Sequence, residues 1–182
     1  MDIYIETERL YIRPLAVADE QGMFEMGSDP EVHKYIGGKH YQTIEQGRGA
    51  ITDIMQQYKD NGVGRWAVIE KATDEFVGWT GLKLMKERVN AMIDYYDFGY
   101  RLMRKFWGKG YATESGRASL SYGTDTLKLK EVYGMTDVNN AASRRVLEKL
   151  GFKYIETFGY DGQPGWRQPG EPATWYKWTR EI

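Results

Sequence analysis

The chain has 182 residues, 41% apolar and 28% charged, and its 25 Lys and Arg against 26 Asp and Glu leave a net charge of −1, without the basic surplus that meets nucleic-acid phosphate. The absence of cysteine removes disulfides, thiolate nucleophiles, iron–sulfur clusters and cysteine-based zinc sites, and with only two histidines, His33 and His40, no metal is expected. Residues 1–182 suit one domain, and with no 18-residue apolar run and no leader-like start they read as a soluble, cytoplasmic protein with no membrane partner.

Glu6 to Pro14 reads as a strand, because Leu10 and Ile12 alternate with Arg9, Tyr11 and Arg13 until Pro14 stops the run. Ala16 to Met26 reads as a helix, with Asp19 in its first turn and Gly27 just past its end. Thr43 and Gln46 have capping-box spacing, and Ile51, Ile54, Met55 and Tyr58 continue a helical stripe that Asn61-Gly62 closes. Trp66 to Glu70 and Phe76 to Leu84 flank the turn Ala72-Thr73-Asp74-Glu75 as a hairpin. Ile93 to Leu102 is a longer strand, with Tyr96, Phe98, Tyr100 and Leu102 on an apolar face and Asp97, Gly99 and Arg101 on the other.

A glycine-punctuated turn, Lys105-Phe106-Trp107-Gly108-Lys109-Gly110, follows at once, and a helix then runs from Tyr111 toward Leu127. Glu131 to Asp137 is a short strand. Asn140 to Leu150 is a helix with Ala142, Val146, Leu147 and Leu150 as its stripe and Gly151 as its left-handed stop. Phe152 to Phe158 and Thr174 to Thr179 are the last strands, around a Gly/Pro-rich loop from Gly159 to Pro172. This order gives a mixed α/β (α+β) domain.

The strand–turn–helix at Gly99 to Thr113 carries the first chemical signal. Glycines at 108 and 110 let the main chain turn with its N–H groups inward, and the following helix adds unpaired donors and a positive dipole end. Such a turn suits a phosphate or pyrophosphate, although an ordinary strand-to-helix turn would use the same glycines. Thr113 stands where a Rossmann fingerprint needs its third glycine, and Gly38-Lys39 is followed by His40, which a Walker A loop does not allow. The second signal is Asn139-Asn140-Ala141-Ala142-Ser143-Arg144-Arg145 at a helix start, where an asparagine also serves as a simple cap. No G-x-S-x-G elbow surrounds Ser143, so a serine hydrolase has no support. His33 and His40 read as surface or structural residues.

Together, Tyr100-Arg101-Leu102, Trp107-Gly108-Lys109-Gly110-Tyr111-Ala112-Thr113-Glu114 and the run from Asn140 to Phe152 resemble the GNAT superfamily of N-acetyltransferases. The nearest branch is the ribosomal-protein N-acetyltransferase type (RimJ/RimL-like), whose N-terminal signature resembles Glu8 to Pro14 and Asp29-Pro30-Glu31-Val32. The resemblance implies a mixed, mostly antiparallel central sheet flanked by helices. It implies acetyl-CoA as cosubstrate, its pyrophosphate cradled by Lys105, Gly108, Lys109, Gly110, Tyr111, Ala112 and Thr113. Phe98, Tyr100 and Leu102 would pair with the pantetheine arm through their main chain, and Asn140 would hydrogen-bond it near the thioester. The usual Gln or Arg at the start of the turn is Lys105 here, which lacks the planar fork. Many members place a tyrosine seven residues after the asparagine as general acid; this chain has Leu147, and Ser143 is the nearer candidate. Asp97 occupies the branch's acidic strand position and is the candidate base, with Glu70 and Asp94 worse placed.

Only a neutral amine attacks a thioester, so the site must take a proton from the ammonium, support an oxyanion and protonate the leaving thiolate. No covalent enzyme intermediate is needed. The expected partners are acetyl-CoA and an amine acceptor, a protein N-terminus or a small molecule, shaped by Asp29 to Tyr58 and by the loop carrying Tyr160, Asp161, Trp166 and Arg167. A homodimer is common in the resembling branch. A CoA-binding sensor or scaffold without catalysis, and a nucleotide enzyme using the G-x-G turn, are the competing readings.

Overall fold

A computed structural model describes residues 4–37, 39–162 and 168–180; Trp166 and Arg167 of the loop expected at the acceptor lie outside the described residues. Fifteen short elements build one sheet with helices on both faces. The chain starts with β1 (Ile5–Glu6) and β2 (Leu10–Pro14), a 3-10 turn (Val17–Asp19), α1 (Glu20–Ser28), α2 (Pro30–His33) and α3 (Ile44–Asn61). It continues with β3 (Arg65–Glu70), β4 (Phe76–Met85), β5 (Tyr95–Leu102) and a second 3-10 turn (Arg104–Phe106). The last elements are α4 (Tyr111–Asp125), β6 (Glu131–Asp137), α5 (Ala141–Lys149), β7 (Lys153–Gly159) and β8 (Pro172–Thr179). The sheet order is β1-β2-β3-β4-β5-β6-β8-β7, and every neighbouring pair is antiparallel except β5–β6. Among the described residues no helix is long and apolar enough to cross a membrane.

Several expected boundaries shift, three of them for a clear local reason. The strand expected over 6–14 is a small hairpin, because Thr7 turns the chain: its N–H donates to the Leu10 carbonyl at 2.9 Å and its Oγ1 accepts from the Leu10 N–H. The helix expected from Ala16 starts as the 3-10 turn and runs through Gly27, stopping only where Asp29 is extended ahead of Pro30. β5 begins at Tyr95 because Asn90, Ala91 and Asp94 take positive φ in a loop closed between Val89 and Met92. The Thr43–Gln46 capping box and the left-handed Gly62 stop stand where the spacing puts them.

Alternation along β5 and its neighbours divides the sheet into two faces. Phe98, Leu82 and Trp66 pack under α4 and α5, with Leu120, Leu147 and Leu150, in the main core. The other face carries Ala67 and Ile69, covered by Met23 and Met26 of α1 and Ile51 of α3. Tyr58 ties α3 down, donating from its hydroxyl to the Arg65 carbonyl and accepting from the Leu15 N–H at 3.1 Å; burial pushes this phenol up to about 12. Tyr58→Phe leaves a donor and an acceptor without their partner and is expected to cost about 1–3 kcal/mol, read from the urea midpoint.

Candidate active site

β5, α4 and β6 form the parallel crossover of this sheet, so the carboxyl ends of β5 and β6 lie on one side with the N-termini of α4 and α5. That topology brings the glycine turn and the Asn140 segment together. β5 and β6 share a single registered pair, Asp97 with Tyr133, whereas β5 pairs with β4 over its whole length and β6 with β8 over its whole length. Past Asp97 the main chain of β5 therefore has an unpaired side, running by Phe98, Tyr100 and Leu102. Main-chain groups left unpaired here are of the kind that can bond to an extended polar chain.

The turn after β5 follows in the left-handed geometry that its two glycines allow. Gly108 and Gly110 have φ of 75° and 85°, in the left-handed region. The N–H groups of Gly108, Lys109, Gly110, Tyr111 and Ala112 have no hydrogen-bond partner among the described residues; the Thr113 and Glu114 N–H groups donate to the Gly110 carbonyl at 3.1 and 3.0 Å. Thr113 is thus tied into the helix start. Five free donors at a helix N-terminus suit a pyrophosphate. The Tyr111 side chain turns away and donates to the Glu70 carboxylate, which holds that carboxyl below its ordinary range. The Lys105 ammonium pairs with Glu75 at 2.5 Å, both half-exposed, so its charge reaches the cradle only when that weak pair opens.

Beside the cradle lies an open groove of about 780 Å³, lined by Arg9, Gly110, Thr113, Arg117 and Lys149 among others. Arg9 clasps Glu114 at 2.6 Å and donates to the Lys109 carbonyl at 2.9 Å, which fixes the turn from outside. Asn140 is the N-cap of α5: its Oδ1 accepts from the Ser143 N–H at 3.1 Å. The cap is thus the Asn140 side chain, and Ser143 contributes its N–H to it. The Asn140 Nδ2 is left as a donor. Ser143 faces the Tyr100 hydroxyl; burial raises the Tyr100 phenol and Ser143 acts in the opposite sense. Leu147 is buried against Gly134.

On the other face of β5, Asp97 is 6% exposed. Its Oδ2 accepts from Arg65, whose guanidinium also donates to the Asp97 and Gly81 carbonyls, while Oδ1 is buried without a hydrogen-bond partner among the described residues. Gly99 makes room for this pair: a Cβ there would stand 2.8 Å from the Arg65 guanidinium. Burial pushes the Asp97 carboxyl up, and Arg65 and Lys83 offset part of that. Arg65 is the partner that sequence reading missed: 32 residues separate the pair, and no local spacing reports it. Of the rival bases, Glu70 is taken by Tyr111 and Thr73, and Asp94 pairs with Lys86 at an exposed site. Tyr160 is buried beside Val89 and Trp175, and Asp161 accepts from the Asn90 N–H at 2.6 Å.

The acetyltransferase (GNAT) domain family matches residues 9–153 of this chain. The FsC-acetyl coenzyme A-N(2)-transacetylase of Aspergillus fumigatus is 33% identical over 183 residues, covering 97% of this chain and 76% of that protein. Among solved structures, a GNAT-family acetyltransferase from Bacillus anthracis superposes with a TM-score of 0.78 at 26% identity, covering 97% of this chain and 98% of its own. The ribosomal-protein-S5-alanine acetyltransferase of Vibrio fischeri shares the fold, with a TM-score of 0.77 at 16% identity over 99% of this chain and 98% of its own. A family match across the glycine turn, the divergent strands and the α5 N-terminus accounts for the geometry: the chain belongs to the GNAT family of acetyl-CoA-dependent N-acetyltransferases.

Proposed function

We propose that the acceptor is a primary amine, a small molecule or a protein N-terminus, and that it attacks the thioester directly while both substrates are bound. The observation that carries this is the divergence of β5 from β6 beyond Asp97, in line with the five free N–H groups from Gly108 to Ala112. Acetyl-CoA supplies an activated acyl group there. Gly108, Lys109, Gly110, Tyr111 and Ala112 hold the pyrophosphate through their main chain, with Thr113 completing the helix start and Lys105 supplying charge at the edge. The free side of Phe98, Tyr100 and Leu102 carries the pantetheine arm, and Asn140 donates to it from Nδ2. The motifs around Glu8 to Pro14 support a place in the ribosomal-protein branch.

The proton path follows from the two faces of β5. Asp97 takes the proton of the incoming ammonium through Oδ1, directly or by a water, and its raised affinity for protons favours that role. On the opposite face the Ser143 hydroxyl faces that of Tyr100 next to Asn140, and Ser143 gives its proton to the thiolate as the carbon–sulfur bond breaks. Ser143→Ala is expected to lower kcat by about tenfold or more. Because Asn140 is the cap, the variant should melt within about 1 °C of the parent. Thiol release from acetyl-CoA, followed with an amine panel, tests the function. A normal kcat in Ser143→Ala would move the donor role to Tyr100 or to water.

A further inference from the structure

The face of β5 that carries Asp97 also carries a surplus of positive charge that the acetyl transfer does not use. Arg65, Lys83 and Arg101 stand there with Trp79, in one band between the apolar cluster under α1 and α3 and the cluster around Tyr160 and Trp175. The two guanidinium carbons lie 5.5 Å (Arg65) and 5.3 Å (Arg101) from the centroid of the Trp79 ring. Arg65 is satisfied by Asp97 and two carbonyls. Arg101 is different. It is half-buried opposite Trp79, and among the described residues it has no hydrogen bond and no ion pair.

The groups that act on Arg101 are the Tyr41 phenol and the like charge of Arg65; no carboxylate is among them. Lys83 feels Asp97 and Glu87, and it too forms no ion pair among the described residues. One buried carboxylate therefore faces three cations. Cations withdrawn from water ordinarily keep a counter-ion, and a guanidinium held by an aromatic ring presents its fork to a planar anion. Tyr41, ahead of α3, packs on the first of these clusters beside Trp79, and Tyr160 belongs to the second.

Resting on the amine-acceptor reading above, we propose that the acceptor carries a carboxylate and that Arg101, stacked on Trp79, receives it while the amine points along β5 toward Asp97. Arg101 then sets specificity: it favours amino-acid-type amines and repels polycations. Lys83 adds to the same field.

The test measures thiol release at saturating acetyl-CoA with amino acids of graded length, from glycine to 6-aminohexanoate, each beside its own amide, with spermidine as the cationic comparison. For at least one length, kcat/KM should exceed that of the amide by about tenfold or more. In Arg101→Gln that ratio should collapse to within about twofold, and Arg101→Lys, which keeps charge and stem, should retain part of it. Calorimetric titration with CoA on each variant establishes that the fold and the nucleotide groove persist. Equal rates for acids and amides, faster turnover of spermidine, no turnover of any carboxylate-bearing amine, or an unchanged ratio in Arg101→Gln would each overturn the assignment. Amides turned over as well as acids would leave amine acetylation standing; CoA binding with no thiol release to any amine would remove the reading beneath it as well.

Discussion

Gly110→Val is expected to lower CoA affinity at least tenfold, about 1.4 kcal/mol, while the chain still folds. Gly110 holds φ of 85°, and a Cβ built there stands 3.4 Å from the Arg9 guanidinium. A β-branched side chain is strained at that φ, so the turn must relax. Relaxation moves the N–H groups of Gly110, Tyr111 and Ala112 out of their common orientation, and it loosens the Arg9 contact to the Lys109 carbonyl. The turn is at the surface and its donors are unpaired in the free protein, so the cost falls on the ligand more than on stability. Calorimetric titration with CoA measures it; unchanged affinity would remove the cradle from these residues.

The second large effect belongs to Arg65. Removing one partner of a buried pair strands the other, which typically costs about 3–5 kcal/mol. Arg65→Met is expected to lower Tm on the order of 10 °C, since a chain of this size loses roughly 2–4 °C per kcal/mol. The pH dependence has a definite sign. Asp97 binds its proton more tightly when folded than unfolded, so its contribution to stability is fully present below the ordinary carboxylate range and is lost as pH rises through its elevated value. Without Arg65 that elevation grows. The deficit of Arg65→Met should therefore be largest at neutral pH and shrink as the solution is acidified toward the range where Asp97 protonates. A deficit that is flat with pH would mean that Arg65 acts through packing on Trp79 alone. Asp97→Asn, by the same logic, strands the buried Arg65 guanidinium, so it should lower Tm as well as turnover, with the turnover loss alone shrinking as pH nears the acceptor's own pKa.

Much of the site was legible because its signals are local. The spacing of Gly108 and Gly110 after an alternating strand, and an asparagine opening an apolar helix stripe, are each contained in a dozen residues, and both elements form where those patterns put them. The alternation also sorted Phe98, Tyr100 and Leu102 from Asp97, Gly99 and Arg101 correctly. What escaped is what the fold brings from afar. Arg9 meets Glu114 across 105 positions, and Arg65 reaches Asp97 over Gly99, where a Cβ would crowd its guanidinium. Nothing in the run Val63-Gly64-Arg65-Trp66 announces a buried guanidinium. The break in the first strand was equally silent, resting on one Thr7 hydroxyl.

The single pairing of Asp97 with Tyr133 has a consequence for how the molecule holds together. Main-chain hydrogen bonding splits the sheet into a five-strand piece, β1 to β5, and a three-strand ribbon of β6, β8 and β7. Between them run one residue pair, the α4 crossover and side-chain packing such as Phe98 on Phe152. Such a seam is where a fold opens first, below the threshold for global unfolding. A pantetheine arm bonded along β5, as proposed above, would take the place of a missing strand and add main-chain hydrogen bonds across the seam. The main core, from Trp66 and Leu82 to Leu147 and Phe152, spans this seam, so the two pieces share their packing while they divide their main-chain hydrogen bonds.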